Sequence, residues 1–158
     1  MLEQLKKLSN IKGIWGKLSA LPGGRFIFSK LVGQMVPYTG TISPYVLEFG
    51  QGKAKVQIED RRGIRNHLRS IHALALANVG EFSTGLSVIS VLPEDGEMIL
   101  TKIEVEYLKK ARGTLIAEAT CPTNQFKNGE DLNVTSEIKN EKQELVCKVV
   151  ATWRIRRG

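Results

Sequence analysis

The chain has 158 residues, 42% of them hydrophobic and 25% charged, and its 23 Lys+Arg against 16 Asp+Glu give a formal net charge of +7. These are values of an ordinary globular protein, and they argue against a disordered tail, a collagen-like repeat or a disulfide scaffold. The length suits one domain with a sizeable core, and the positive balance favours polyanionic or phosphorylated ligands without choosing among them.

Met1-Leu2-Glu3-Gln4-Leu5-Lys6-Lys7 does not read as a signal peptide. Leu2, Leu5, Leu8, Ile11, Ile14, Trp15 and Leu18 fall near helical spacing with lysines between them, and Leu21-Pro22-Gly23-Gly24 breaks that helix. A second helix is expected through Phe26, Phe28, Leu31, Val32 and Met35, stopping at Pro37. Residues 1–36 thus form an N-terminal helical extension and 37–158 the main domain. Lys6, Lys7, Lys12, Lys17, Arg25 and Lys30 stand against Glu3 alone in the first 40 residues. A membrane-surface role for the first helix is one reading of that pattern, with no stable insertion.

From Thr41 the period becomes two. Strands are expected over 42–50 and 53–60 around a turn at Gly52, followed by a basic loop over 61–70. A single long helix occupies 71–92. After the turn at Pro93-Glu94-Asp95-Gly96, Ile99, Ile103, Val105 and Tyr107 are expected on one face of a long strand. Lys109-Lys110-Ala111-Arg112-Gly113 then turns the chain back into 114–121. A last hairpin runs 132–139 and 143–156, with Leu145, Cys147, Val149, Ala151, Trp153 and Ile155 pointing one way. Hairpins of this kind predict an antiparallel sheet of five to six strands, and helices segregated from strands give class α+β. Cys121 and Cys147 share no close spacing with His or a second Cys. No metal site is expected, and a reducing, cytoplasmic setting is the default.

The central helix carries most of the information. Across residues 71–92, rich in Ala, Gly and Ser, the only formal charge is Glu81. An unpaired carboxylate there costs on the order of several kcal/mol, so it faces a cavity, finds a partner or holds a proton. The functional reading is an acid, base or nucleophile of raised pKa; the bland one is a paired or interfacial carboxylate. At the helix start, Ser70 is the expected cap, leaving the Ala73 and Leu74 N–H groups free to favour a developing negative charge. His72 and Asn66 lie just before. Ala73 and Glu81 are about 12 Å apart along the axis at ~1.5 Å per residue, so one small reacting group cannot touch both on one helix. His72 and Glu81 fall on opposite faces. If the helix start and the carboxylate act together, they come from two chains whose helices run antiparallel.

Asn66, His72-Ala73-Leu74 and Glu81 together resemble the Asn, His-Gly-Gly and Asp/Glu motif of hotdog-fold proteins of the thioesterase superfamily. The resemblance is to the phenylacetate-degradation (PaaI-like) type and its poorly characterised bacterial relatives, and it extends from about Val36 to Trp153. It implies an antiparallel sheet wrapped around one long helix, assembled as a homodimer or a homotetramer. It also implies hydrolysis of an acyl-CoA or related pantetheine thioester, with no cofactor beyond the coenzyme A of the substrate. In that scheme Glu81 activates water or attacks the thioester, and the Ala73 N–H of the partner chain polarises the carbonyl. Asn66 holds substrate or water, and His72 shapes the loop. Ser70 and Leu74 border the site. Arg65, Arg69, Lys109, Lys110 and Arg112 are candidates for the substrate phosphates. Thr84 and Thr101 are candidates for the Ser/Thr that some relatives add. Ala73-Leu74 in place of Gly-Gly narrows the approach to the backbone and supports an alternative, a non-catalytic acyl-CoA or lipid-binding protein. A hotdog dehydratase would need a His–acid pair across the dimer, which this spacing fits less well. Nucleic acid is not an expected partner, because no binding motif and no basic-aromatic interleaving occur.

Overall fold

The computed structural model describes residues 2–157. Four helices and six strands follow one another as α1 (Leu2–Leu18), α2 (Gly24–Met35), α3 (Pro37–Gly40), β1 (Tyr45–Gly50), β2 (Lys53–Ile58), α4 (Ala73–Val91), β3 (Gly96–Tyr107), β4 (Leu115–Thr120), β5 (Asp131–Asn140) and β6 (Leu145–Arg157). The inward packing expected of Leu2, Leu5 and Leu8 lies outside the described side chains.

Alternation builds the sheet. In β5 and β6 every second side chain is buried, Leu132, Val134 and Ile138 on one strand and Cys147, Val149, Ala151, Trp153 and Ile155 on the other. β1 and β2 close through Gln51 and Gly52, both at positive φ (51° and 78°), as a two-residue hairpin turn requires. All neighbours are antiparallel, in the order β1-β2-β4-β5-β6-β3.

Two expectations are corrected by this order. β3 and β4 are not a hairpin: β3 pairs only with β6 at one edge, while β4 lies between β2 and β5. The basic connection 108–114 therefore carries the chain across the sheet. Nor does Ile99 share a face with Ile103, Val105 and Tyr107. The register shifts between Leu100 and Lys102, so an extra residue reverses the alternation. Met98 and Leu100 share the core face with Ile103, Val105 and Tyr107, and Ile99 points outward, exposed.

α4 lies in the curve of the sheet and touches β2, β4, β5 and β6. By length and apolarity it resembles a membrane-spanning segment, but 67% of that stretch is buried inside the fold, as in a core helix. Gly80 permits the close approach: a Cβ there would meet the side chain of Val149 on β6. The Ser83 hydroxyl sits 2.7 Å from that of Ser136 on β5. Lys12 of α1 donates to the Leu92 carbonyl at the end of α4 (2.5 Å).

The two sheet edges differ. α2 lies against β1, with Ser29 Oγ accepting the Val46 N–H at 2.8 Å, and Trp15, Phe28 and Phe49 form an aromatic cluster between α1, α2 and β1. Ile11, Phe28 and Val32 belong to the same buried core as α4. β3, the other edge, has no strand beyond it among the described residues, and its core face is half open at Ile103 and Tyr107.

Candidate functional site

The start of α4 is set by a compact loop. Asn66 Oδ1 accepts the N–H groups of Leu68 (2.9 Å) and Ser70 (3.1 Å), while the Asn66 N–H donates to the Ser70 carbonyl (2.8 Å). Arg69 takes a left-handed conformation, φ 56°, inside this loop. The Ile71 N–H donates to the Ala111 carbonyl and the His72 N–H to the Ile64 carbonyl, both at 2.8 Å, which fixes where the helix begins.

The cap is His72, not Ser70. His72 is extended (φ −63°, ψ 142°), and its Nδ1 accepts the Leu74 N–H at 3.1 Å. Nδ1 as acceptor puts the proton of the neutral ring on Nε2. Ser70 is buried and its Oγ lacks a hydrogen-bond partner among the described residues, because the Asn66 turn carries it away from the first helical turn. The two free donors expected at the helix start reduce to one. Leu74 gives its N–H to His72, and the Ala75 and Leu76 N–H groups return to the His72 carbonyl. Among the described residues no acceptor takes the Ala73 N–H. Leu74 leaves its side chain 60% exposed.

Ala73, Ala77 and Glu81 repeat at four-residue intervals and form one half-buried stripe along α4. The stripe runs beside β3. At its start the Tyr107 hydroxyl donates to the Ala73 carbonyl at 3.1 Å. One turn beyond Glu81, a Cβ at Gly85 would lie 3.7 Å from Met98 and 3.2 Å from the Trp153 ring. Glu81 thus lies on the side of α4 next to β3, the uncovered edge of the sheet. Burial raises its pKa above the ordinary 4.5, with no cation to oppose the shift. None of the described residues donates to its carboxylate or forms an ion pair with it, so the paired-carboxylate reading fails within one chain. Ala73 and Glu81 stand at opposite ends of the stripe, as their spacing requires.

The substrate-binding candidates separate. Thr84 is 0% exposed; its hydroxyl spends its one proton on the Glu81 carbonyl (2.7 Å) and accepts the Trp153 Nε1–H (3.2 Å), so burial closes it to a ligand. Thr101 is the exposed bulge residue of β3 and donates to the Thr152 carbonyl. The cations do gather near the helix start, because the Ile71–Ala111 bond joins the two basic connections. Two of them are engaged: Arg65 with Asp60 (2.6 Å) and Lys109 with Glu144 (2.7 Å). Arg69, Lys110 and Arg112 are exposed and form no ion pair among the described residues. Cys121 and Cys147 are buried and free, and burial pushes the Cys147 thiol up to about 11, far from a nucleophile's range. No cluster of three metal-ligating side chains occurs among the described residues.

Sequence reasoning missed Tyr107 as a neighbour of the helix start. Its alternation on a strand is legible, but only the fold places that strand beside α4. It also missed an open cleft of about 670 Å³ between α2, α3 and the start of β1, which contains none of the stripe residues.

None of the curated proteins matches the chain in sequence. Among solved structures it is similar to a structural-genomics protein, APC5556, at 27% identity and TM-score 0.82, over 96% of this chain and 99% of that one. It is similar to PA5026 from Pseudomonas aeruginosa, described as a protein of unknown function and probable thioesterase, at 16% identity and TM-score 0.74, over 87% of this chain and 97% of that one. A third, smu.793 from Streptococcus mutans UA159, bound to acetyl CoA, matches at 19% identity and TM-score 0.63, over 72% and 89% of the two chains. The sheet wrapped around one helix is the hotdog fold that thioesterases among these neighbours share. A family model described as "Domain of unknown function (DUF4442)" matches residues 24–155, and the chain belongs to that family.

Proposed function

We propose that this protein hydrolyses acyl-CoA or related pantetheine thioesters, in a site completed by two copies of the chain. The observation that carries the reading is the Glu81 carboxylate, half-buried on an apolar helix and unpaired among the described residues. A carboxylate of raised pKa is a stronger base nearer neutral pH. The probable thioesterase PA5026 and the acetyl-CoA complex of smu.793 support an acyl-CoA as the substrate class.

In this reading the β3 edges of two chains meet, covering Ile103 and Tyr107 and bringing the Ala73 N–H of one chain toward Glu81 of the other. The ionised carboxylate takes a proton from water as the water oxygen adds to the thioester carbon. The Ala73 N–H receives the negative charge that develops on the carbonyl oxygen. The C–S bond then breaks, and the thiolate leaves with the proton, giving a carboxylic acid and free coenzyme A. Direct attack by Glu81, followed by hydrolysis of the mixed anhydride, gives the same products. His72 positions Ala73 by capping the helix. The Asn66 Oδ1 is occupied in the loop, which leaves its NH₂ group for substrate or water. Arg69, Lys110 and Arg112 face the phosphates.

The second reading, acyl-CoA binding without turnover, is favoured by Leu74, whose N–H is closed by His72 and whose exposed side chain stands where the family motif has glycine. Thiol release from a panel of acyl-CoAs, with Glu81→Gln as control, separates the two. Turnover lost in the variant supports hydrolysis. Ligand-induced thermal stabilisation without turnover supports binding alone, and turnover retained by the variant rejects the role of Glu81.

A further inference from the structure

We infer that the outward face of α2 docks onto the surface of an anionic phospholipid bilayer. A helix packed on a protein body normally turns its apolar side inward and its polar side to water. α2 satisfies the first half only. Phe28, Ser29 and Val32 are buried, but the opposite side presents Phe26, Ile27, Lys30 and Leu31, at helical spacing and all exposed. Phe26 is 55% exposed, and Leu21, in the turn before the helix, 57%. Tyr38 on α3, the next helix, is exposed as well.

Charge identifies the occupant. Residues 4–47 contain not one Asp or Glu, and on α2 itself Arg25 and Lys30 are both exposed. Lys30 Nζ lies 5.5 Å from the centre of the Phe26 ring, so a cation and an aromatic ring project together from the same face. Exposed aromatic and aliphatic side chains flanked by cations, without acids, are what an interfacial helix needs: apolar groups for the acyl boundary and cations for the headgroup phosphates. The cleft of about 670 Å³ adjoins this face, and its lining includes Phe26 and Lys30 together with Pro37, Pro44 and Tyr45. It offers a recess for one lipid chain.

A second copy of the chain fits this face poorly. In a two-fold contact the same patch meets itself, which sets Arg25 and Lys30 against their own copies with no acid in the stretch to offset them. The exposed apolar residues near β3 form a separate group around Ile103, Tyr107 and Leu74. Docking through α2 therefore leaves that edge free, and it does not depend on the hydrolytic reading.

Cosedimentation of the full chain with vesicles tests the proposal. One set is phosphatidylcholine alone and the other equal parts of phosphatidylcholine and phosphatidylglycerol. The protein is expected to pellet with the anionic vesicles only and to be released by added salt. The double variant Phe26→Ser/Ile27→Ser and the single variant Lys30→Glu are each expected to weaken binding by about tenfold or more. All these side chains are exposed, so circular dichroism melts should match the parent and loss of binding reads the surface alone. Failure to pellet with the anionic vesicles overturns the proposal, as does binding that neither variant changes. Analytical ultracentrifugation without lipid supplies the third outcome. If Phe26→Ser/Ile27→Ser splits an oligomer into smaller species, the face is a contact between copies and the bilayer is excluded.

Discussion

Replacing Ala73 with proline removes a single atom group from the candidate site and little else. His72 is the N-cap, so Ala73 is the first residue of α4, a position where proline is favoured because its fixed φ suits the helix and its missing N–H has no helical partner. The preceding residue must be extended, and His72 already is, at φ −63° and ψ 142°. The His72 cap to the Leu74 N–H does not involve the Ala73 nitrogen. No hydrogen bond of the described residues is lost. The variant should fold as the parent does and gain about 0.5 kcal/mol from a stiffer unfolded chain, a rise of about 1–2 °C in melting temperature. If the Ala73 N–H holds the oxyanion, its loss should lower kcat by roughly 10²–10³-fold. Ala73→Gly, which keeps the N–H and opens the approach, should be at least as active as the parent. The assay is coenzyme A release followed with a thiol-reactive dye, alongside a thermal melt. A proline variant that melts normally and keeps its kcat would refute the oxyanion role, whatever else the enzyme does.

Four further outcomes rest on the geometry. Glu81→Gln should abolish turnover and yet stabilise the fold. The raised pKa means that the folded state holds this proton more tightly than the unfolded state, so stability is lost as pH rises through the folded value and Gln escapes that loss. The gain should be present at pH 7, read as a higher melting temperature, and it should vanish below the ordinary 4.5, where both states are protonated. Parent activity should fall on acidification with a midpoint above 4.5; a midpoint below it would contradict the burial argument. His72→Ala should lose about 1 kcal/mol and most of the turnover, whereas His72→Asn, a good cap, should recover both. Chemical denaturation and kcat together distinguish capping from acid–base work by the ring, since the latter predicts no rescue. Ile103→Asp on the open β3 edge should yield a monomer by ultracentrifugation and remove activity, and an active monomer would reject the shared site.

The fold was largely legible because periodicity reports burial directly. The alternation in β6 from Cys147 to Ile155 needs only the chain itself to be read, and so does the change to a small-residue helix after residue 71; Leu145, expected on the same face, falls out of it because the register shifts at Val146, which is buried in its place. What failed were properties that a local pattern does not contain. Ile99 breaks from its neighbours because one extra residue at Thr101 reverses the faces, and nothing in Leu-Thr-Lys announces a bulge. The segment 109–113 has ordinary turn chemistry, and turn chemistry does not tell a hairpin from a connection that carries the chain to the other side of a sheet.

The same division holds at the site. Glu81 was legible because a lone carboxylate in an apolar helix is costly wherever that helix goes. The cap was not: Ser70 and His72 can both end a helix, and the choice was made by Asn66 folding the loop back on Ser70. Tyr107 was invisible for a similar reason, since it reaches Ala73 only after β3 is laid along α4. The charge distribution gives the last step. This chain carries seven surplus positive charges, so a structural carboxylate would have had many cations to choose from. Asp60, Glu144 and Asp131 each have one. Glu81 has none among the described residues, and the cations that the fold brings together lie at the other end of its helix. An unpaired acid that the fold keeps away from plentiful partners suits the proposed hydrolysis, which needs it free, and in the proposed dimer that distant, cation-bordered end returns to it from the second chain.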